Sequence, residues 1–207
     1  MAPILLRIVI SYLVGSIPSA YIFAKLLKGV DIRKAGSGNV GATNAFRVLG
    51  KGPGIAVLCI DILKGFIAVV FLGNSSSQFS AHISPQVFRI ILGLACIIGH
   101  NWSVFLRFRG GKGVATTLGV FLALAITVAS LKVVLLFLFL TWLVVFLIFR
   151  IVSLASIVTA VMLPAYTYVF KQPAPIIIIS IFLALLSIAR HHSNISKLLQ
   201  GKEKRLF

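Results

Sequence analysis

Residues 133–149 have the sequence VVLLFLFLTWLVVFLIF, in which every residue except Thr141 is apolar. As an α-helix this stretch would be about 25 Å long, close to the thickness of a bilayer core. The whole chain has the same character, since 59% of its 207 residues are hydrophobic and its mean hydropathy is +1.10. Soluble globular domains do not reach this composition. The sequence therefore predicts an integral membrane protein.

Six further apolar stretches accompany this one and predict seven transmembrane helices. The seven stretches are residues 4–27, 55–72, 87–98, 114–129, 133–149, 151–170 and 174–189. The third and fourth are shorter than the about 20 residues that a spanning helix needs, and only Arg150 separates the fifth from the sixth. Loops are predicted at residues 74–78 and 171–173. We therefore expect an all-α polytopic membrane protein with residues 1–207 in a single domain.

The basic residues are unevenly divided between the two faces of such a bundle. The chain has 20 Lys and Arg but only three acidic residues, so its formal net charge is +17. Along seven crossings, sixteen basic residues fall on one face and four on the other, namely Arg7, Arg89, Lys132 and Lys171. The positive-inside rule predicts that the crowded face is cytoplasmic, with the N-terminus outside and the C-terminus inside. Anionic lipid headgroups explain part of this excess, and anionic ligands explain the rest.

Composition also excludes several classes of function. The three scattered acids Asp31, Asp61 and Glu203 do not form a carboxylate cage for metal-dependent phosphotransfer or a glycosidase pair. Cys59 and Cys96 lie in apolar stretches, which is not the pattern of a zinc site or a disulfide framework. A nucleic-acid-binding protein would carry its basic residues on a domain without long apolar spans. We therefore expect no metal, no cofactor and no nucleic-acid partner.

The first long polar segment of the crowded face, residues 36–47, is rich in glycine and in hydrogen-bond donors. Its glycines follow the spacing G-x-G-x-x-G, but no strand precedes them, which argues against a dinucleotide site. Glycine turns let backbone N–H groups converge on an anion, and residues 42–49 predict a short helix, stopped by Gly50, whose N-terminus faces that anion. A flexible turn is the alternative interpretation. The candidate residues of this segment are Gly36, Ser37, Gly38, Asn39, Gly41, Thr43, Asn44 and Arg47.

The second polar segment, residues 99–116, places three glycines around Lys112 at the start of a helix. Gly110, Gly111 and Gly113 leave backbone donors uncovered and the ammonium adds charge, a combination that favours a phosphate dianion. It is not a Walker A loop, because neither Ser nor Thr follows Lys112 directly. His100 ends the third predicted helix and is as compatible with a structural hydrogen bond as with catalysis.

The third polar segment is a basic tail, residues 190–203. Its apolar residues Ile195, Leu198 and Leu199 share one helical face, which predicts an amphipathic helix on the inner membrane surface. Glu203 is a single carboxylate among many cations, so we expect it to pair with one and to position an Arg or Lys.

One charged pair lies inside a predicted span. Asp61 and Lys64 stand three positions apart in the second helix and so share a face. Because charges inside an apolar span are costly and are usually paired, we interpret them as a buried pair whose lysine also borders the anion site.

These segments, in this order and on one face, resemble the bacterial acyl-phosphate:glycerol-3-phosphate acyltransferase (PlsY) family over essentially the whole chain. The matching positions of its first motif are Gly36, Ser37, Gly38, Asn39, Gly41, Ala42, Thr43, Asn44 and Arg47. Those of its second helix and second motif are Asp61, Lys64, Gly65, Gly99, His100, Gly110, Gly111, Lys112 and Gly113. Those of its third motif are Arg190, His191, Asn194, Gly201 and Glu203. The sequence departs from the family pattern at Trp102, Ser103, His192 and Lys197.

The resemblance implies transfer of a fatty acyl group from acyl phosphate to the sn-1 hydroxyl of glycerol 3-phosphate. The products would be 1-acyl-sn-glycerol 3-phosphate (lysophosphatidic acid) and phosphate, at the first step of phospholipid synthesis in the bacterial cytoplasmic (inner) membrane. The implied catalytic residues are Ser37, Arg47, His191, Asn194 and Glu203. The implied substrate-binding residues are Gly36, Gly38, Asn39, Gly41, Thr43, Asn44, Lys64, His100, Gly110, Gly111, Lys112 and Gly113. The expected partners are these two substrates and membrane lipids, and the oligomeric state is left open, a monomer included.

A membrane phosphate or organophosphate transporter is the alternative, since seven helices with basic loops also suit a carrier. A carrier lines a path to both membrane faces with polar residues. Here the predicted outer loops are short and nearly free of candidate ligands. The acyltransferase is therefore the interpretation that the sequence favours.

Single cysteines test the predicted orientation, in a background from which Cys59 and Cys96 have been removed. We expect Ser37→Cys, Lys112→Cys and Glu203→Cys to resist a membrane-impermeant maleimide in intact cells and to react after permeabilisation, because the positive-inside rule places all three in the cytoplasm. Lys132→Cys, on the opposite predicted face, is the control that should react in intact cells. Ready labelling of any of the first three from outside contradicts the prediction.

Overall fold

The computed structural model describes residues 2–73 and 83–206, and the loop predicted at residues 74–78 lies outside them. Every regular element in the described residues is helical. The α-helices are α1 (Ala2–Ser16), α2 (Ser19–Lys28), α3 (Ala42–Leu49), α4 (Lys51–Gly73), α5 (Pro85–Asn101), α6 (Val114–Thr127), α7 (Leu131–Phe149), α8 (Val152–Val169), α9 (Ala174–Arg190) and α10 (His192–Leu199). Two short 3₁₀ helices span Ile32–Lys34 and Val104–Leu106. The chain divides into two compact units, Met1–Leu124 and Ala125–Phe207.

Each of the six predicted apolar stretches after the first corresponds to one helix, and the protein is a multi-pass membrane protein. Five helical segments of the described residues are long and apolar enough to cross a bilayer, and a sixth is reached if α9 and α10, bent by 61°, form one span. The helix predicted at residues 114–129 has only 14 residues, Val114–Thr127. The count of seven crossings therefore stays a prediction.

The first predicted stretch, residues 4–27, lies in one apolar segment, Pro3–Lys28, that is long enough to cross a bilayer. The prediction of one continuous helix there is wrong. Helix α1 ends at Ser16 and α2 begins at Ser19. Pro18 has no N–H for the helical ladder and disfavours helical geometry at the residue before it. The break leaves the Ile17 carbonyl in a short turn, where it accepts a hydrogen bond from the Ser19 N–H at 3.1 Å.

Helices α1 and α5 pack closely in the first unit through small residues and polar contacts. A Cβ at Gly15 would overlap the Cys96 carbonyl, and a Cβ at Gly99 would overlap the backbone of Tyr12. The Ser11 hydroxyl donates to the Leu92 carbonyl at 2.6 Å. Small residues at membrane helix contacts allow such close backbone approach.

Helix α4 is the central contact partner of the first unit. Its Gly65 lies against the Thr116 carbonyl of α6, and Gly119 of α6 lies against the Ile62 carbonyl. Its Gly54 lies against the backbone of Phe46, which brings α3 onto α4. Beneath α3, a cluster of fully buried side chains joins α2, α3 and α4, namely Ala20, Ala24, Ile32, Ala45 and Val57. The polar segment at residues 36–47 therefore packs on a cluster of buried apolar side chains.

The second unit is a helical arrangement joined by hydroxyl contacts inside the apolar helices. Thr141 and Tyr166 hydroxyls lie 2.8 Å apart between α7 and α8, and Thr167 and Ser180 hydroxyls lie 2.9 Å apart between α8 and α9. The predicted boundary at Arg150 is confirmed, because this residue adopts a left-handed conformation with φ of 58° at the end of α7. The break at residues 171–173 and the helix in the tail are confirmed as well.

Candidate active site

The first loop, residues 35–41, is organised by the amide side chain of Asn44. Asn44 Oδ1 accepts a hydrogen bond from the Ser37 N–H at 2.8 Å. Its Nδ2 donates to the Ala35 and Asn39 carbonyls at 3.0 Å each and to the Ile32 carbonyl at 3.3 Å. The side chain is buried, being only 1% exposed. Asn44 therefore shapes the loop from below instead of presenting its amide to a ligand.

The conformation of the first loop requires glycine at two positions. Gly36 and Gly38 have φ of +61° and +75°, in the left-handed region that other residues rarely adopt. A Cβ at Gly36 would also overlap Asn44 Oδ1. The predicted flexible turn is thus a turn with a defined shape.

An ion pair fixes the chain where it enters the first loop. The Asp31 carboxylate caps the 3₁₀ helix by accepting from the Arg33 N–H at 3.0 Å, and the Arg33 guanidinium donates to it at 2.7 Å. This guanidinium holds the pKa of the Asp31 carboxyl at about 2. Asp31 is therefore a carboxylate at any physiological pH, and it is committed to this contact.

The short helix after the first loop is confirmed at its predicted boundaries. Helix α3 runs from Ala42 to Leu49, and Gly50 ends it with φ of 99°. Ser37 is exposed beside its N-terminus, while Thr43 and Arg47 are half-buried. Ser37 is therefore accessible to a ligand, and its N–H is held by Asn44 Oδ1 in the first turn of this helix.

The second loop, residues 102–113, packs its glycines against His100 and the first loop. The Gly111 N–H donates to the His100 carbonyl at 3.0 Å. A Cβ at Gly111 would overlap His100 Nε2 and would lie 2.7 Å from the Val40 carbonyl oxygen. Gly113 has φ of +80° and lies against the Asn101 side chain. The structure thus brings the two glycine-rich loops together at Gly111, with the half-buried Lys112 next to this contact.

A buried polar network lies below the junction of the two loops. The predicted Asp61–Lys64 pair is confirmed, with Lys64 Nζ 2.9 Å from Asp61 Oδ1 and both side chains buried. Lys64 Nζ also lies 2.8 Å from His100 Nδ1 and donates to the Ile17 carbonyl at 3.2 Å. The Ser19 hydroxyl donates to Asp61 Oδ1 at 2.7 Å. Sequence patterns did not predict the contribution of Ser19 and Ile17, although Pro18 within an apolar stretch is a signal of the helix break that makes the Ile17 carbonyl and the Ser19 hydroxyl available to this network.

A small cavity adjoins this network in the first unit. Its walls include Lys64 and His100, Val40 of the first loop, Gly110 of the second loop and Ser16 at the end of α1. The Ser16 hydroxyl is buried and has no hydrogen-bond partner among the residues that the structure describes. The cavity therefore offers polar contacts directly beneath the two loops.

The tail residues belong to the second unit. Glu203 Oε1 accepts hydrogen bonds from Asn194 Nδ2 at 2.6 Å and from the Ser153 hydroxyl at 2.7 Å. In the described residues the contacts of Glu203 are these two neutral donors and not the predicted cation. His191 is buried, with Nδ1 2.8 Å from the Ser187 carbonyl oxygen. That carbonyl only accepts, so Nδ1 of His191 carries a proton.

The sequence of this chain matches one family of known proteins over nearly its whole length. A family model described as glycerol-3-phosphate acyltransferase matches residues 5–201. The chain is 45% identical over 202 residues to glycerol-3-phosphate acyltransferase 2 of Moorella thermoacetica, which covers 98% of this chain and 97% of that protein. It is 44% identical over 208 residues to the glycerol-3-phosphate acyltransferase of Halalkalibacterium halodurans, which covers 97% of this chain and 94% of that protein.

Solved structures give the same match. The chain is similar to a crystal structure of PlsY, an integral membrane glycerol 3-phosphate acyltransferase, in its glycerol 3-phosphate form, with a TM-score of 0.85 and 42% identity over 98% of this chain and 94% of that one. The lysophosphatidic acid form of the same protein gives a TM-score of 0.82.

Substitution of Asn44 tests whether this residue shapes the first loop. Asn44→Asp keeps the size of the side chain and the acceptor for the Ser37 N–H, but it places a carboxylate oxygen against three carbonyl oxygens. We expect it to destabilise the loop by about 1–3 kcal/mol, seen as faster hydrogen exchange over residues 35–41. Gln200→Ala, at an exposed position of the tail, is the control. Wild-type exchange in Asn44→Asp would contradict the role assigned to Asn44.

Proposed function

This chain belongs to the glycerol-3-phosphate acyltransferase family, and we propose that its acyl donor is a fatty acyl phosphate. The acyl group is transferred to the sn-1 hydroxyl of glycerol 3-phosphate, which gives 1-acyl-sn-glycerol 3-phosphate and inorganic phosphate. Membership of this family argues against the alternative function considered from the sequence, a phosphate or organophosphate transporter.

The contact of two glycine-rich loops at Gly111 is the observation that carries this proposal. Each loop has glycines at positions where a side chain would collide with its packed neighbours. Each polar segment also carries a basic side chain, Arg47 in the first and Lys112 in the second. Both proposed substrates carry a phosphate, so the reaction needs two anion sites close to each other. We assign Arg47 and Lys112 to these phosphates, together with the glycines of the two loops.

The acyl phosphate donor removes the need for a strong enzymic nucleophile. An acyl phosphate is a mixed anhydride with phosphate as a good leaving group, so the enzyme has to orient the hydroxyl, hold two anions together and stabilise an oxyanion. In the proposed mechanism the exposed Ser37 hydroxyl donates a hydrogen bond to the acyl phosphate. The proton of the attacking hydroxyl goes to a substrate phosphate oxygen or to His191.

The contacts of the three acids support direct transfer over an acyl-serine intermediate. A nucleophilic serine needs a base that is oriented by a third group, which is an acid in the familiar triads. Asp31 is bound by Arg33, Asp61 by Lys64 and Ser19, and Glu203 by Asn194 and Ser153. These are all the acids of the chain. We accordingly propose that Glu203 positions the Asn194 side chain, while Asn194 and His191 keep the catalytic roles that the resemblance implies.

The remaining finer features are also proposals. We propose seven crossings, a single domain over residues 1–207, an outer N-terminus, and cytoplasmic loops and C-terminus in the bacterial inner membrane. The fatty chain of the donor would lie in the bilayer, while the phosphates would meet the basic cytoplasmic loops. The proposed reaction uses no metal and no cofactor, since the phosphates are neutralised by Arg47, Lys112 and backbone N–H groups.

Product analysis tests the proposed donor. Purified protein in lipid is incubated with labelled glycerol 3-phosphate and, in parallel, with acyl phosphate, acyl-CoA or acyl carrier protein carrying the same chain. We expect labelled lysophosphatidic acid with acyl phosphate only, unaffected by exhaustive EDTA. Lys112→Ala is the matched negative variant. Product with acyl-CoA or acyl carrier protein but not with acyl phosphate would contradict the proposed donor.

A quench experiment tests the direct mechanism. Enzyme mixed with labelled acyl phosphate alone should retain no stoichiometric label after denaturation, because the acyl group moves only to glycerol 3-phosphate. Ser37→Ala should nevertheless lose activity through the missing hydrogen bond, by about 10- to 100-fold in kcat/KM. Stoichiometric label that is retained by wild type and lost in Ser37→Ala would show a covalent route instead.

A further inference from the structure

The Lys64 ammonium has an acceptor for each of its three hydrogens. These acceptors are Asp61 Oδ1 at 2.9 Å, the Ile17 carbonyl oxygen at 3.2 Å and His100 Nδ1 at 2.8 Å. An ammonium group has three donors and accepts no hydrogen bond. Lys64 is also only 5% exposed. Its contribution to ligand binding, expected from the sequence, therefore has to pass through one of these three groups.

The contact with Lys64 determines which nitrogen of His100 carries the proton. Because the ammonium can only donate, Nδ1 of His100 has to be the acceptor, and the proton of a neutral imidazole then lies on Nε2. A doubly protonated ring would place two donors 2.8 Å apart with a single carboxylate to share. The one negative charge of Asp61 already balances the one positive charge of Lys64, which favours a neutral ring.

The protonated nitrogen of His100 points to the second loop. Nε2 lies where a Cβ of Gly111 would be, so the absence of a side chain at Gly111 is what brings the ring up to the loop. The ring is 8% exposed and forms part of the wall of the small cavity beside Gly110. A donor at this position can reach an anionic oxygen held by the glycines around Lys112.

We propose that Asp61 and Lys64 are positioning residues that hold His100 in its Nε2–H form, and that this N–H donates to a phosphate oxygen of a substrate bound at the second loop. The inference rests on the proposed function, which supplies the phosphate. Both substrates carry this chemistry, so the kinetic measurement below also tells which of them contacts His100. A tautomer fixed by a neighbouring group is a known way to orient a histidine.

The tautomer is measured first, without substrate. Protein labelled with nitrogen-15 at its four histidines is examined by NMR in lipid nanodiscs, and the His100 signals are those missing from His100→Ala. We expect an unprotonated Nδ1 and a protonated Nε2 in wild type. The double variant Asp61→Asn/Lys64→Met removes both charges without leaving one buried alone, and it should release the ring to a mixture of tautomers. A protonated Nδ1 in wild type, or an unchanged tautomer in the double variant, overturns the proposal.

Kinetics then test the contact with phosphate. His100→Ala should lower kcat/KM by about 10- to 100-fold, mainly through a higher KM for one of the two substrates. His100→Gln, whose amide N–H reaches a similar point, should retain more activity, and the double variant should show a higher KM for the same substrate. His192→Ala, an exposed histidine outside the assigned machinery, is the control. An unchanged KM for both substrates in His100→Ala overturns the contact.

These measurements separate the two proposals. Wild-type protein that makes no lysophosphatidic acid would contradict the proposed function, whereas the tautomer in the absence of substrate decides the role of Asp61 and Lys64 by itself. A merely structural pair would change the thermal stability of the double variant but would leave the tautomer of His100 as it is.

Discussion

The buried ion pair of Asp61 and Lys64 is the constraint on which the first unit depends. A charged residue at the centre of an isolated membrane helix costs about 2.5–3.5 kcal/mol on insertion scales. The contact between Asp61 and Lys64 alone would leave other hydrogen-bond donors and acceptors of the two side chains unsatisfied. The missing partners come from the break between α1 and α2, which supplies the Ile17 carbonyl and the Ser19 hydroxyl. His100 of α5 supplies the third. One ion pair thereby joins three parts of the chain, namely the break between α1 and α2, helix α4 and helix α5, and the second glycine-rich loop follows α5 directly.

The distribution of charge explains how such a basic protein can fold and still attract anions. Each of the three acids is committed to a local structural contact, at the entry to the first loop, inside α4 and in the tail. Very few of the 20 basic residues can therefore be neutralised within the chain. The remaining positive charge is available to anionic lipids and to soluble phosphates, and it raises their concentration near the loops.

The sequence predicts the parts of this structure that depend on local signals. The glycine that follows an amphipathic segment is sufficient to predict the end of α3. The single arginine between two apolar stretches is sufficient to predict the boundary between α7 and α8 at Arg150. The i, i+3 spacing reveals the pair in α4. Contacts between distant segments follow from helix rotation and packing, which no local pattern records. For this reason the role of Asn44 beneath the first loop, the approach of His100 to Lys64 and the neutral partners of Glu203 emerge only from the structure.

The single amide of Asn44 has a consequence for the thermodynamics of ligand binding. Because it joins four backbone groups of one short segment, most of the conformational entropy of that segment is lost when the protein folds. Ordering a residue's backbone costs about 1–2 kcal/mol, a cost that a small anion with few contacts could not offset on its own. A preorganised loop is thus what the proposed anion site needs in order to bind a ligand as small as a phosphate monoester without an ordering step.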